Sequence, residues 1–363
     1  MEFDIYQTHY MEALIREKPT VYSFLKDRYF SDTSVFKTEK VFVDYDDGEG
    51  NLLAPFVIPR VGKVPMDREG YETRELSPAY IAPSRPLSID VLTKRLAGES
   101  LVSTLTPAQR EKQYLVGDLD FLDKGIGRTE EQMCSGTLLD NAFEAIHIGD
   151  KEGKGKEYQV RFYDGTENKG VFVPKAKWAV GTETKRGTWY DDTCRQAYDL
   201  AESGRSVTDL VVGSAVAELV LNDPWVLKMM DNRRVELGTI DPRWNENGVV
   251  YLCRLNFAGI PLDVFCYRGS YQVKDPKTGK LVTKYYFPAN AALLAAPKTG
   301  KLRYGMVTQV EMDGKTYSRT GKRVPKHNVD VDANLKETIM TARPVAAPKM
   351  KNPWRACRDV LKV

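Results

Sequence analysis

Histidines, cysteines and clustered carboxylates are the side chains through which this chain could do chemistry. The three histidines, His9, His147 and His327, are scattered, and none lies in a nucleophile motif. No G-x-S-x-G, no H-E-x-x-H and no G-x-G-x-x-G behind a strand occurs. Five cysteines, Cys134, Cys194, Cys253, Cys266 and Cys357, are odd in number and lack C-x-x-C spacing. A disulfide framework or a zinc site is therefore not expected, and the five read as buried thiols. Asp191 and Asp192 form a carboxylate pair on paper, but adjacent residues point apart. The acidic turn from Asp44 to Gly48 has no oxygen ligand at the fifth position of a calcium loop, and Pro55 stands where the bidentate Glu belongs. In the run Asn328–Asn334, Leu335 occupies the place where the sharp turn of such a loop wants glycine. The lysine-rich stretch at 149–157 lacks the Gly-Lys-Ser/Thr order of a phosphate loop and reads as a solvated turn. These residues support no catalytic mechanism, no metal and no cofactor, and the expectation is a protein that is not an enzyme.

Composition points the same way. Charged residues balance, 53 Lys+Arg against 50 Asp+Glu, so no general nucleic-acid grip is implied. A hydrophobic content of 42% is enough for a sizeable core. No apolar run approaches the ~20 residues of a membrane helix. The N-terminal residues lack the basic and apolar regions of a signal peptide, so synthesis and use in a cytosol are expected. Five tryptophans and 19 tyrosines suit large interfaces as well as cores.

The elements that would position any site read as α+β. Residues 1 to 30 form an arm with two short helical pieces, the second opened by Pro19-Thr20 and carrying Phe24 and Leu25. Neither is stable unless docked. Val35 to Asp44 reads as a strand. Thr106 caps and Pro107 starts a long helix expected to run to Ile146, with Leu115, Leu119, Leu122, Ile126 and Met133 along one stripe. Gly117, Gly125, Gly127 and Gly136 interrupt it, which predicts a bent or locally broken rod. Strands follow at Tyr158–Tyr163 and Gly170–Val173, then a helix around Cys194–Ser203. From Ser206 a compact α+β unit is expected. It holds a strand at Thr208–Val212, helices at Ser214–Leu221 and Asp223–Met230, then strands at Val249–Leu255, Ile260–Tyr267, Tyr285–Phe287, Asn290–Ala296 and Leu302–Val310. The C-terminal segment is basic, and Arg343, Lys349, Lys351, Arg355, Arg358 and Lys362 suit DNA, an acidic neighbour or a docked tail.

One stretch fits none of these elements. Leu52 to Ser88 holds six of the 19 prolines, a density that neither a helix nor a central strand tolerates. It is also too apolar for a solvated linker, with Leu52, Leu53, Phe56, Val57, Ile58, Tyr71, Tyr80 and Ile81. Two extended arms joined near Asp67–Gly70 satisfy both facts, provided a neighbouring subunit covers them. A proline-rich loop packed on its own domain satisfies them too, and composition alone favours that second reading.

The blocks LAPFVIPR (53–60), Gly62-Lys63-Val64, Arg68-x-Gly70, Thr73-Arg74 and SPAYIAPSRPLS (77–88) reverse that preference. They resemble the major capsid (E) protein family of lambda-type tailed phages. The likeness extends through Phe24-Leu25-x-Asp27, Glu130, Met133, Leu138 and Leu139. It continues in order through Asp209–Ala215, Tyr267-x-x-x-Tyr271, Phe287-Pro288 and Tyr304-Gly305; residues 1–19 and 340–363 match poorly.

The resemblance implies the Hong Kong 97-like capsid fold. Its parts would be an N-terminal arm (1–34), a strand and turn (35–51), an extended loop (52–88), a peripheral domain (89–205) with a spine helix at 107–146, an axial domain (206–323), and a return to the peripheral domain with a tail (324–363). It implies a major capsid protein that self-assembles into hexamers and pentamers of an icosahedral head around double-stranded DNA. Pro55, Phe56, Pro59, Arg60, Arg68, Arg74, Tyr80 and Pro83 would carry inter-subunit contacts of the loop. Scaffolding protein, decoration protein and portal would be partners, DNA would be met without sequence preference, and no membrane is involved. The protein would be found in the virion, and in the host cytoplasm during assembly. The alternatives are a non-viral compartment shell of the same fold and, from another class, a soluble enzyme or binding module with 52–88 as a lid.

Overall fold

The computed structural model describes residues 11, 23–46, 71–88, 106–147, 156–163, 165–230, 238–245, 248–275, 278–332 and 334–361. The α-helices described in full are α1 (Phe24–Tyr29), α2 (Pro107–Asp140), α3 (Thr188–Glu202), α4 (Ser214–Leu221) and α5 (Pro224–Met230).

Helix α2 is the axis of the molecule. Its 34 residues span about 50 Å at 1.5 Å per residue. Thr106 and Gln109 make a reciprocal capping box, with the Gln109 side chain accepting from the Thr106 amide at 2.9 Å, and Pro107 occupies the first turn. The four glycines do not break the rod. At Gly117 and Gly125 a β-carbon would meet nothing within 4 Å, so these glycines cost helix propensity without serving the subunit's packing. The helix stops six residues short of the expected Ile146. Asn141 takes φ 51°, a left-handed turn that asparagine tolerates, and Ala142–His147 continues as a strand paired with Lys156–Arg161.

Both ends of α2 bury the expected stripe. Near its start, Leu115, Leu119, Leu122 and Ile126 pack on Met340, Ala342 and Met11. That layer belongs to a sheet in the order Val324–Asp330, Leu335–Thr341, Ser84–Ser88. Near its end, Met133, Cys134, Leu138 and Leu139 meet α1 and a six-stranded sheet. The sheet order is Arg355–Cys357, Ala292–Ala295, Asp209–Val212, Ile260–Tyr267, Val249–Phe257, Gly238–Asn245. Only the pairing of Asp209–Val212 with Ile260–Tyr267 is parallel in that sheet. Alternation across it sends Leu210 and Val212 to a core under α3 and α4, and Val211 and Leu293 to the core shared with α1 and α2.

The differences from expectation have local causes. The strand expected at Val35–Asp44 is two, Asp32–Val35 and Val41–Asp46, because the polar run at 37–40 bends the chain. Asp32–Val35 joins Gly300–Tyr304 and Pro344–Pro348 in a three-stranded sheet. Leu302–Val310 is not continuous: Gly305 ends one strand, and Val307–Val310 pairs instead with Thr316–Arg319. Tyr285–Phe287 shifts to Leu281–Tyr285, the partner of Ser270–Lys274 across a turn in which Gly279 takes φ 66°. Gly170–Val173 makes only a bridge, Val171 to Ala356, and α3 starts at Thr188 rather than near Cys194. Gly238–Asn245, which the sequence reading did not identify, forms the sheet's far edge.

The C-terminal segment is structural. Pro344–Pro348 is buried along its whole length, Trp354 is fully buried, and Arg355–Cys357 forms an edge of the six-stranded sheet. Its cations find acidic neighbours within the same chain: Arg358 pairs with Asp140, Lys349 with Asp32 and Arg343 with Glu39.

Candidate assembly surfaces and a buried charge cluster

Of the stretch 52–88, expected to form two extended arms, residues 71–88 are described. Tyr71–Leu76 pairs antiparallel with Val41–Asp46, Asp46 opposite Tyr71, so the arm's partner is the strand upstream of Leu52. The tip expected at Asp67–Gly70 lies outside the described residues, as do Pro55, Phe56, Pro59, Arg60 and Arg68. Arg74 is half-buried, not a free contact: its guanidinium donates to the Phe162 carbonyl at 2.9 Å and lies 3.7 Å from Glu167. Tyr80 is exposed, with the Arg343 guanidinium 5.9 Å from its ring centre. The Pro83 carbonyl accepts from the Met340 amide at 3.1 Å, and Ile81 bridges to Ala342. The base of the loop is thereby seated on the sheet that covers the start of α2.

The densest chemistry lies where the arm meets α2. Glu130 and Glu131 are adjacent and both fully buried. The Glu130 carboxylate accepts from Arg323 at 2.6 and 3.0 Å, from the Tyr304 hydroxyl at 2.9 Å and from Lys26 Nζ at 3.3 Å. Glu131 turns to the other side. Its two oxygens accept from the Leu25 and Lys26 amides, each at 2.9 Å, and from the Tyr267 hydroxyl at 2.7 Å. Those amides are unpaired donors in the first turn of α1, so Glu131 satisfies a helix start from 106 residues away. Further along α1, Arg28 grips Asp209 with two bonds at 2.5 and 2.8 Å, and Tyr29 donates to the same carboxylate at 3.0 Å. Apolar contact completes the seat: the Phe24 ring centre lies 5.3 Å from that of Tyr267, and Phe30 lies against Gly300.

Electrostatics separate the two acids. Burial pushes Glu130 up, but the Arg323 charge and its bonds, with Lys26 and Tyr304, more than offset it and hold the carboxyl below its ordinary range. Burial also pushes Glu131 up, and the Tyr267 and backbone bonds do not overcome it, so Glu131 stays raised. Burial and the Glu131 charge raise Tyr267, as burial and Glu130 raise Tyr304. The cluster joins α1, α2, the sheet strand Ile260–Tyr267, the strand Gly300–Tyr304 and the loop at Arg323 through one buried network.

Sequence reasoning named several of these positions as parts of a resemblance, without their roles. Phe24-Leu25, Glu130, Asp209, Tyr267 and Tyr304 all sit in the blocks quoted for it, and the fold brings them to one place. Lys26, Arg28, Glu131 and Arg323 were missed. An adjacent acidic pair in phase with the apolar stripe of α2 was the available signal. Asp191 and Asp192 do point apart: Asp191 is exposed, and Asp192 is buried and accepts from the Trp178 indole at 2.9 Å. All five cysteines are free and buried.

Comparison with known proteins agrees with this architecture. A family model for phage major capsid protein E matches residues 7–355. The chain is 24% identical over 328 residues to the major capsid protein of Enterobacteria phage phi80, covering 90% of this chain and 89% of that one. It is 22% identical over 331 residues to the major capsid protein of Escherichia phage lambda, covering 86% of each. A crystal structure of the putative capsid protein of an E. coli CFT073 prophage superposes with a TM-score of 0.65 at 16% identity, covering 97% of this chain and 98% of that one. With the match running through the arm, α2, the six-stranded sheet and the returning C-terminal strands, the chain belongs to the phage major capsid protein E family.

Proposed function

We infer that this chain is the repeated subunit of a phage head shell, arranged as hexamers and pentamers around packaged double-stranded DNA. The observation that carries the reading is the family match across residues 7–355, on a fold in which α2 packs against α1, the six-stranded sheet and the sheet that holds Leu335–Thr341. The relatives named above come from phages and a prophage, which favours a head over a non-viral compartment.

In this reading residues 52–88 lap an adjacent subunit. Residues 206–323 form the axial part, and 89–205 with 324–363 the peripheral part. Contacts at Arg74, Ile81 and Pro83, which tie residues 71–88 to their own subunit, support a fixed base for the loop. The subunit works without turnover: its role is to hold one shape while presenting surfaces to copies of itself. Scaffolding protein, decoration protein and portal are its expected partners, and DNA is met without sequence preference. Its place is the virion, reached by assembly in the host cytoplasm.

Sedimentation of the expressed protein, alone and with its genomic neighbours, tests the reading. Rapidly sedimenting particles of uniform size in either sample are expected. Small oligomers in both would overturn it in favour of a soluble module.

A further inference from the structure

The hairpin Ser270–Tyr285 presents a strand that no described residue covers. All five residues of Leu281–Tyr285 are exposed, and three of them are apolar or aromatic, Leu281, Val282 and Tyr285. A two-stranded hairpin in water is marginal without a layer against it. Only its base is anchored here: the Tyr271 and Tyr286 rings stack with centres 4.8 Å apart, and the Tyr286 carbonyl accepts from Ser135 of α2.

On this hairpin Lys280, Val282 and Lys284 alternate onto one side, and neither lysine has an ion pair among the described residues. The complementary feature lies on the opposite face of the six-stranded sheet. Helix α3 carries exposed Asp191, Tyr198 and Asp199 along its outer side. Neither aspartate forms an ion pair among the described residues, and Arg195 between them is already paired with Asp192. The spacings agree. Eight helical residues separate the aspartates by about 12 Å. Four strand residues separate the lysines by about 13 Å. In each partner an apolar or aromatic side chain sits between or beside the charges, Val282 on the strand and Tyr198 on the helix.

The sheet stands between these two surfaces, with α3 packed on one face and the hairpin base on the other. A contact between them must therefore join two copies, head to tail, and a head-to-tail contact that closes makes a ring. We propose that the strand Leu281–Tyr285 of one subunit docks on α3 of the next, with Lys280 and Lys284 meeting Asp191 and Asp199. The proposal rests on the shell reading only for the size of the ring. The contact itself is a property of two copies.

The test is a charge swap read by sedimentation velocity over a concentration series. Lys280→Glu/Lys284→Glu and Asp191→Lys/Asp199→Lys should each raise the concentration needed for half the chains to associate by tenfold or more. The quadruple variant should return to within about threefold of the wild type. All substituted residues are exposed, and unchanged thermal melts identify variants that retain the fold; Lys280→Gln/Lys284→Gln supplies a milder version of the same loss. Either double variant associating like wild type would overturn the proposal, as would a quadruple variant no better than the doubles. Normal assembly with reduced DNA retention in the lysine variants would assign the hairpin to nucleic acid and also overturn it. If the wild type forms shells while the swap fails, the docking contact falls and the head reading stands. If the wild type never associates, both fall.

Discussion

Glu130 receives four hydrogen bonds from three side chains in a site closed to water, and its removal leaves Arg323 buried without its main partner. Breaking a buried, hydrogen-bonded ion pair from one side costs about 3–5 kcal/mol. Glu130→Ala should lower the unfolding free energy of the subunit by that amount, read as a lower urea midpoint by intrinsic fluorescence. The pH dependence has a definite sign. Because Glu130 is held below its ordinary range, its contribution is present above that range and is lost as the pH falls through the depressed value. Glu131 is raised, so its contribution runs the other way, declining as the pH rises through the raised value. Denaturation midpoints of wild type and Glu130→Gln from pH 7 to 3 should therefore converge on acidification. A difference that stays constant would show that the carboxylate's charge is not what the network uses. Gly300 is the other residue-scale constraint, since a β-carbon there would meet the Phe30 ring at 2.2 Å. Gly300→Ala should loosen α1, raising amide exchange at Leu25 and Lys26 while the sheet remains protected.

At the scale of elements, α2 runs unbroken from Pro107 to Asp140 through its glycines. Gly117→Ala and Gly125→Ala fill open space in the subunit, and each should raise stability by about 0.5–1 kcal/mol, read as a higher melting temperature. Much of this level was legible in the sequence. The stripe Leu115–Met133, the cap at Thr106, helices α4 and α5 and the strand Ile260–Tyr267 follow from period, caps and Asp-Pro punctuation, and the structure places them where those signals do. What was not legible has a common physical origin. The end of α2 depends on one left-handed asparagine. The division of Leu302–Val310 depends on Gly305, whose β-carbon would meet the Glu39 carbonyl at 2.7 Å. The buried strand Pro344–Pro348 reads as a tail because two prolines hide an edge position where no ladder donor is needed. Each depends on a tertiary neighbour that a local pattern does not contain. The charge cluster is the extreme case, since its partners lie 104 to 193 residues apart in sequence.

For the whole molecule, the network around Glu130 and Glu131 joins α1, α2, the strands of Tyr267 and Tyr304 and the segment at Arg323. Tyr71–Leu76 is paired with Val41–Asp46, and the strand Leu281–Tyr285 is exposed along its whole length. Deleting residues 52–70 should leave a subunit with a native melting transition that forms no closed particles, seen by negative-stain microscopy of the variant beside wild type. The most direct measurement is cryo-electron microscopy of the particles formed when the chain is expressed with its genomic neighbours. Closed icosahedral shells are predicted, with α1 seated on Glu131 in every subunit and residues 52–70 lying over a neighbouring copy. Discrete small oligomers, or shells in which that segment folds back on its own subunit, would contradict the account.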